Sequence, residues 1–151
     1  MAQTLTHIFR IALARQKKVY RDIEIASNAS LHDLAAAIVA AFDFDFDHAF
    51  GFYGGTTQAT LLRAQPKYEL FADMDDADSE ALSVKRTTVA AAFPQPRHKM
   101  TFLFDYGDNW LFQVTQTGNG QTAPKTRYPK VLATQGASPA QYPDPDDMDE
   151  E

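Results

Sequence analysis

The chain has 151 residues and no cysteine, so it is long enough for one domain with its own core. The missing thiol excludes a disulfide framework, a thiolate zinc site and a cysteine nucleophile. The net charge of −6 belongs to the end of the chain, because six of the last eight residues are acids and the remainder carries 14 acids against 14 Lys and Arg.

The location of the charge and of the apolar residues sets the expected compartment and partners. A neutral body without a dense basic stripe is a poor match for nucleic acid. The stretch from Met1 to Lys18 lacks the basic start and apolar block of a secretory signal, and the longest apolar run, Leu34 to Phe42, is too short to span a bilayer. We therefore expect a cytoplasmic protein without a membrane segment.

Alternating residues at the start of the chain predict an antiparallel hairpin. In residues 5–13 and again in residues 19–25, apolar side chains occupy every second position, with His7 filling one of these places. The polar segment Arg15–Lys18 joins the two strands. Arg21 falls on the apolar face of the second strand.

A helix follows this hairpin. Ser30 and Asp33 resemble a capping box, with Asp in place of the usual Glu, and they predict that the helix begins there. The helix should continue to about Phe42, because its spacing repeats every three or four residues. One apolar face carries the large side chains Leu31, Leu34, Ile38 and Phe42.

Shorter elements are predicted in the middle of the chain. We expect a strand over 48–53, a short strand over 67–71 and a short helix over 83–93 that ends before Pro94. Residues 56–66 give no clear signal.

The clearest local pattern lies in the third quarter of the chain. Apolar residues alternate over 100–104 and again over 110–114, and the segment 105–109 between them contains Gly107. This arrangement is typical of a hairpin with a glycine-containing loop. Trp110, the only tryptophan, should share an inward face with the neighbouring phenylalanines.

The elements together predict an α+β domain with a mixed, mostly antiparallel sheet. We place this single domain at residues 1–138 and expect residues 139–151 to form an acidic, disordered tail, since proline and aspartate dominate there. Residues 117–127, which include Gly118 and Gly120, give no clear signal of a strand or a helix. The segment 128–133 is predicted to pack on the body.

Three segments resemble the Ri-plasmid open-reading-frame-three-like family. These are Val19-Tyr-Arg-Asp-Ile23, then Phe102-Leu-Phe-Asp-Tyr-Gly-Asp-Asn-Trp110, which is the most distinctive, and Tyr128-Pro-Lys-Val-Leu132 with Gly136-Ala-Ser-Pro139 after it. The helix and the pair Asp47-His48 support the resemblance. The family implies an α+β fold that begins like a β-grasp, as strand, strand, helix, strand. It also implies a plasmid or transposon passenger without an established activity.

The chain departs from this family in two places. Members commonly carry Trp and a second Arg where this chain has Tyr20 and Asp22. They commonly close with Cys-Pro-Pro-Glu-Asp and glycines, where this chain has Ser138-Pro-Ala-Gln-Tyr142. A function that depends on that closing motif is therefore not expected here.

The hairpin loop is the first candidate site. Loop tips tend to carry binding residues, whereas Asp residues beside a glycine also act as structural turn caps. We predict that this tip binds a protein partner and that the chain is a small interaction module without a catalytic residue or a cofactor. The predicted binding residues are Asp105, Tyr106, Asp108, Asn109 and Trp110.

The alternative is a metal-dependent or acid–base enzyme. Carboxylates with an imidazole suit a divalent ion, and the candidate ligands are Asp45, Asp47 and His48. Asp47 with His48, or Asp105 with Asp108, would serve as the acid–base pair. A second acidic cluster lies in residues 73–80, and neither cluster has the spacing of a calcium loop.

Overall fold

The structure is a computed structural model that describes residues 5–46, 49–54, 67–69, 82–94, 97–105 and 110–139. Within these ranges the chain forms eight strands and two helices. In chain order they are β1 (Leu5–Leu13), β2 (Gln16–Ala26), α1 (Leu31–Ala41), β3 (Phe50–Tyr53), β4 (Lys67–Glu69), β5 (Leu82–Ser83), α2 (Val89–Ala92), β6 (Lys99–Phe104), β7 (Trp110–Gln121) and β8 (Lys130–Gln135).

The N-terminal hairpin forms as predicted. Strands β1 and β2 are antiparallel, and Phe9 lies opposite Ile23, so the apolar positions of both strands share one face. The turn consists of only Ala14 and Arg15. Strand β2 therefore begins earlier than the sequence predicted, and its exposed first three residues extend the hairpin beyond the core.

All eight strands belong to one sheet in the order β5-β4-β3-β6-β7-β1-β2-β8. Every neighbouring pair is antiparallel except β4 and β5, which are parallel. The sheet is thus mixed and mostly antiparallel, as expected. Strand β3 pairs with β4 and β6 and not with the first hairpin, so the β-grasp-like start is not confirmed.

Helix α1 begins at the predicted capping box. The Ser30 hydroxyl accepts from the N–H of Asp33 at 3.0 Å, and the Asp33 carboxylate accepts from the N–H of Ser30 at 3.3 Å. These two bonds satisfy N–H groups that have no partner inside the helix. Leu34 and Ile38 are fully buried, as predicted, and the helix packs against β2.

The core lies between the helices and one face of the sheet, and it is rich in phenylalanine. Phe102, Phe104 and Phe112 from β6 and β7 are fully buried within it. Phe52 belongs to the same core, whereas its neighbour Tyr53 packs with Leu103 in a second, small cluster. Because side chains alternate along a strand, Phe52 and Tyr53 lie on opposite faces of the sheet.

The predicted helix over 83–93 is wrong in its first half. Ser83 ends β5, and its hydroxyl accepts from the N–H groups of Lys85 and Arg86 at 3.2 Å, which closes a turn instead of a helix. The helix begins only after Thr88, whose hydroxyl accepts from the N–H of Ala91. Hydroxyl side chains that bond to nearby backbone groups thus set both boundaries.

Strand β7 continues into the segment 117–127, where no strand was predicted. It continues past Gly118 and Gly120 to Gln121, which lies opposite Leu5 of β1. Glycine has a weak propensity for strands, but here β1 pairs with Gly118 and Gly120 and so keeps them in the sheet. Neither helix in the described part of the chain is long and apolar enough to cross a membrane.

Candidate functional site

The loop between β6 and β7 is the predicted binding site. Its first residue, Asp105, is buried and not exposed as a loop tip would be. Its side chain is only 7% exposed, and its N–H donates to the carbonyl of Ala49 at 2.9 Å. Its φ of 66° lies in the left-handed region, which Asp tolerates better than most residues. The other three binding residues predicted in the loop, Tyr106, Asp108 and Asn109, lie outside the described residues.

Trp110 contributes to the edge of the core, as predicted. It is partly buried against the main cluster, and its ring meets the ring of Phe44 edge-on at 4.8 Å. Its indole N–H is buried and has no acceptor among the described residues. Most of the side chain therefore packs inward, next to Phe112.

The predicted metal ligands are only partly described. Asp45 is exposed just after α1, whereas Asp47, His48 and the acidic segment 73–80 lie outside the described residues. Among the residues that are described, no group of three His, Asp or Glu side chains comes close enough to hold a metal ion. The metal site with Asp47 and His48 stays a prediction.

His7 joins three segments of the fold. Its Nδ1 lies 2.7 Å from the Ser27 hydroxyl, and its Nε2 lies 2.9 Å from the carbonyl oxygen of Phe93. Because a carbonyl only accepts, Nε2 carries a proton and donates. The ring is buried and has a partner at each nitrogen, so it fits a structural link better than a nucleophile–base pair.

Arg21 is a buried cation. Its position on the apolar face of β2 was predicted correctly, but the groups that its charge contacts were not predicted. Its Nε donates to the carbonyl of Ala41 at 3.0 Å, where α1 ends, and its Nη1 donates to the carbonyls of Tyr20 and Gln135. The guanidinium also stacks over the ring of Phe42, with 4.7 Å between its carbon and the ring centre. Arg21 therefore links α1, β2 and β8.

The same guanidinium holds the chain after β8. Gly136 has a φ of 82° and approaches Val19 so closely that a Cβ would lie 2.9 Å from Val19 Cγ2, so glycine is required at this turn. Two residues later, Ser138 Oγ accepts from Arg21 Nη2 at 2.9 Å and donates to the Asp43 carboxylate at 2.8 Å.

Strand β8 forms one edge of the sheet, and this feature was not predicted. It pairs with β2 on one side, and on the other side no described strand pairs with it. All six of its side chains are exposed. Val131 is 47% exposed although it lies opposite the buried Ile23, and Leu132, which has no Cα partner on β2 because of a bulge, is 43% exposed.

An apolar groove of about 500 Å³ adjoins the start of β8. It lies between the solvent-facing side of α1 and Tyr128-Pro129, the two residues that precede the strand. Asp33 is its one charged lining residue. The remaining lining comes from small or aliphatic residues: Ile25, Ala26, Ala29, Ala36, Ala37 and Ala40. A volume in this range accommodates an apolar side chain or a short peptide segment.

The other face of the sheet beside β8 is polar. Arg10 donates to both carboxylate oxygens of Asp22 at 2.9 and 3.0 Å, and its guanidinium stacks over Tyr20. The hydrogen bond to Asp22 raises the pKa of Arg10 above its ordinary value, so the guanidinium stays charged at every physiological pH. Because Asp22 lies opposite Ala133 and Ile23 lies opposite Val131, Ala133 is on the polar face of the sheet and Val131 is on the core face.

Comparison with known proteins identifies a fold relative and a family. The crystal structure of a protein of unknown function, MM3350 from Methanosarcina mazei Go1, is similar with a TM-score of 0.69 and 19% identity, over 91% of this chain and 72% of the other. At that identity the likeness concerns the fold alone. No protein with a curated description matches. The sequence profile of the family described as plasmid pRiA4b ORF-3-like protein matches residues 6–145, and the chain belongs to that family.

Proposed function

We propose that this protein is a small, non-catalytic interaction module of the cytoplasm, carried by mobile genetic elements, that binds a polypeptide partner along β8. The observation that supports this function most directly is that β8 is an exposed edge strand of the sheet. It is six residues long, it is paired on one side only among the described residues, and every one of its side chains is exposed.

An open strand edge can bind an extended peptide through backbone hydrogen bonds. Its outward N–H and C=O groups form a template for one more strand, and strand addition is a recurring way in which domains bind extended peptides. Natural edges are usually blocked by charges or proline. In β8 the only charged residue is Lys130 at its start, and the strand contains no proline.

The groove beside the strand supplies selectivity. A peptide added to β8 would direct alternate side chains toward the helix-bearing face, where the alanine side of α1 and Pro129 leave apolar space. Apolar side chains therefore fit at these positions. A cation at the same end would meet the carboxylate of Asp33.

The hairpin tip keeps its predicted role as a second contact surface. For the catalytic alternative, Asp105 is the one described member of the two acid–base pairs, and its burial separates it from solvent. An enzyme needs its acid and base in an open pocket. The burial of Asp105 therefore counts against an acid–base pair with Asp108. The exposed β8 edge, by contrast, supports the interaction function.

A phage-displayed library of random peptides longer than β8 tests this proposal. The immobilised full chain should enrich peptides with alternating apolar residues. Leu132→Lys should remove that enrichment, because a lysine on the open edge opposes strand addition. Leu82→Lys on β5, at the opposite edge of the sheet, is the matched control, since Leu82 is 51% exposed. A library without a consensus, or one that binds Leu132→Lys equally well, would contradict the proposal.

A further inference from the structure

We infer that β8 is a detachable strand, which leaves the edge of the sheet as a unit while the rest of the domain stays folded. The hydrogen bond between Arg21 and Ser138 holds it in place. This inference concerns a movement of the fold and goes beyond the proposed function, because it holds whether or not a peptide pairs with β8. It follows from how little of β8 is buried and from where its contacts lie.

The side chains of β8 contribute little to the core. All of them are exposed, and even the two largest apolar ones, Val131 and Leu132, are 47% and 43% exposed. Strand β2 supplies Val19, Ile23 and Ile25 to the core cluster, whereas β8, which is described over its whole length, supplies none. Local stability within a fold depends on buried apolar contacts, so β8 should open more readily than the strands that fill the core.

Strand β8 joins the sheet through one neighbour. Its pairing with β2 extends from Gln135 opposite Tyr20 to Lys130 opposite Glu24, and a bulge interrupts it. On its other side no described strand pairs with it. Strand β2 also pairs with β1, from Tyr20 to Ala26, so the loss of β8 leaves β2 within the sheet.

The specific contacts of β8 lie where the chain leaves the strand. Gly136 packs against Val19, and Arg21 donates to the carbonyl of Gln135 at 3.1 Å and to Ser138 Oγ at 2.9 Å. When β8 detaches, Arg21 loses these two acceptors but keeps its carbonyl acceptors on β2 and at the end of α1. Its freed N–H groups can then bond to water, so the open state avoids the cost of a buried cation without partners.

Detachment changes which strand forms the edge of the sheet. In the closed state β8 covers the backbone groups of β2 between Tyr20 and Glu24. In the open state these groups and the guanidinium of Arg21 face solvent. The movement of β8 therefore controls access to a second strand edge, which the closed state hides.

Hydrogen exchange of the full chain, measured by NMR at each amide under native conditions, tests the inference. Along β2, N–H groups point alternately to β8 and to β1, so one strand contains both the test and its control. The β8-side amides are the N–H groups that β2 and β8 direct at each other, and the β1-side amides are the N–H groups of β2 that point to β1. The β8-side amides should share one protection factor, about 100-fold or more below that of the β1-side amides, because detachment exposes the first set alone.

Substitutions separate detachment from unfolding of the whole domain. Phe52 is fully buried on β3, and four strands lie between β3 and β8. Phe52→Leu should therefore lower the protection of the β1-side amides and leave that of the β8-side amides unchanged. Ser138→Ala should lower the protection of the β8-side amides about fivefold, the effect of one lost hydrogen bond. Ser138→Thr keeps the hydroxyl and should keep the protection.

The inference is overturned if the two sets of amides are equally protected, or if Phe52→Leu lowers both in parallel, because β8 would then leave only when the whole domain unfolds. Unchanged protection of the β8-side amides in Ser138→Ala, or equal losses in Ser138→Ala and Ser138→Thr, would overturn the role of the hydrogen bond to Arg21. None of these results depends on peptide binding, so they are separate from the outcome of the peptide library.

Discussion

Arg21 Nη2 lies 2.9 Å from Ser138 Oγ, and this hydrogen bond connects a central position of β2 to the chain that leaves β8. Ser138 in turn donates to Asp43, just beyond the end of α1. The buried guanidinium is therefore the point at which the helix, the sheet edge and the C-terminal segment meet. Its three backbone acceptors and its hydroxyl acceptor leave few of its donors unsatisfied.

Replacement of Arg21 by methionine should lower the free energy of unfolding by about 3 kcal/mol. Methionine retains much of the length, but the carbonyls of Ala41 and Gln135 lose a charged donor inside the protein. Ser138→Ala leaves those carbonyls bonded but removes the hydrogen bonds of its hydroxyl to Arg21 and Asp43, and it should cost about 1 kcal/mol. Urea denaturation measures both changes.

Arg15→Met is the matched control, because Arg15 is exposed in the turn between β1 and β2. Its effect should stay within about 0.5 kcal/mol. Equal effects of Arg15→Met and Arg21→Met would show that the buried network contributes nothing specific.

The second prediction concerns the aromatic core at the β6–β7 hairpin. Phe112→Ala should cost about 3–5 kcal/mol, because a fully buried ring leaves a cavity. Trp110→Ala should cost less, since part of its side chain is already exposed. At the predicted tip, Tyr106→Ala and Asn109→Ala should each change stability by no more than about 0.5 kcal/mol. A larger loss at Trp110 than at Phe112 would mean that the indole supports more of the hairpin than its packing indicates.

The third prediction is that the acidic end of the chain does not contribute to the core. Truncation after Tyr142 removes prolines and like charges that cannot bury apolar surface, so Tm should be nearly unchanged. A fall in Tm of more than about 5 °C would mean that this segment packs on the domain.

The fourth prediction separates the two functional classes. Titration calorimetry with Mn²⁺ and with Zn²⁺ should detect no tight binding to the wild-type chain. Tight binding that is lost in His48→Ala but kept in Asp105→Asn would favour a metal-dependent enzyme built on Asp47 and His48. The Asp105→Asn variant is the control, because Asp105 is buried at the other candidate pair.

Local chemistry allowed several elements to be predicted from the sequence. The Ser30–Asp33 capping box fixed the start of α1, and the alternation in β1, β2, β6 and the start of β7 identified their buried faces. The helix predicted over 83–93 failed because Thr88 caps a much later start. The first residue of the predicted binding tip, Asp105, is buried, and its N–H donates to the carbonyl of Ala49, which is distant in the sequence.

The sequence by itself determined the class of the fold, the family and the amphipathic faces, because periodicity, caps and turns depend on residues that are close in the chain. Only the tertiary structure decided which strand is left at the edge. The order β2-β8 follows from pairing between residues more than one hundred positions apart, such as Tyr20 and Gln135. It also decided the role of Arg21, whose acceptors come from α1, β2 and the end of β8. A local pattern contains no information on contacts at that separation, so the β8 edge became visible only when the whole sheet was assembled.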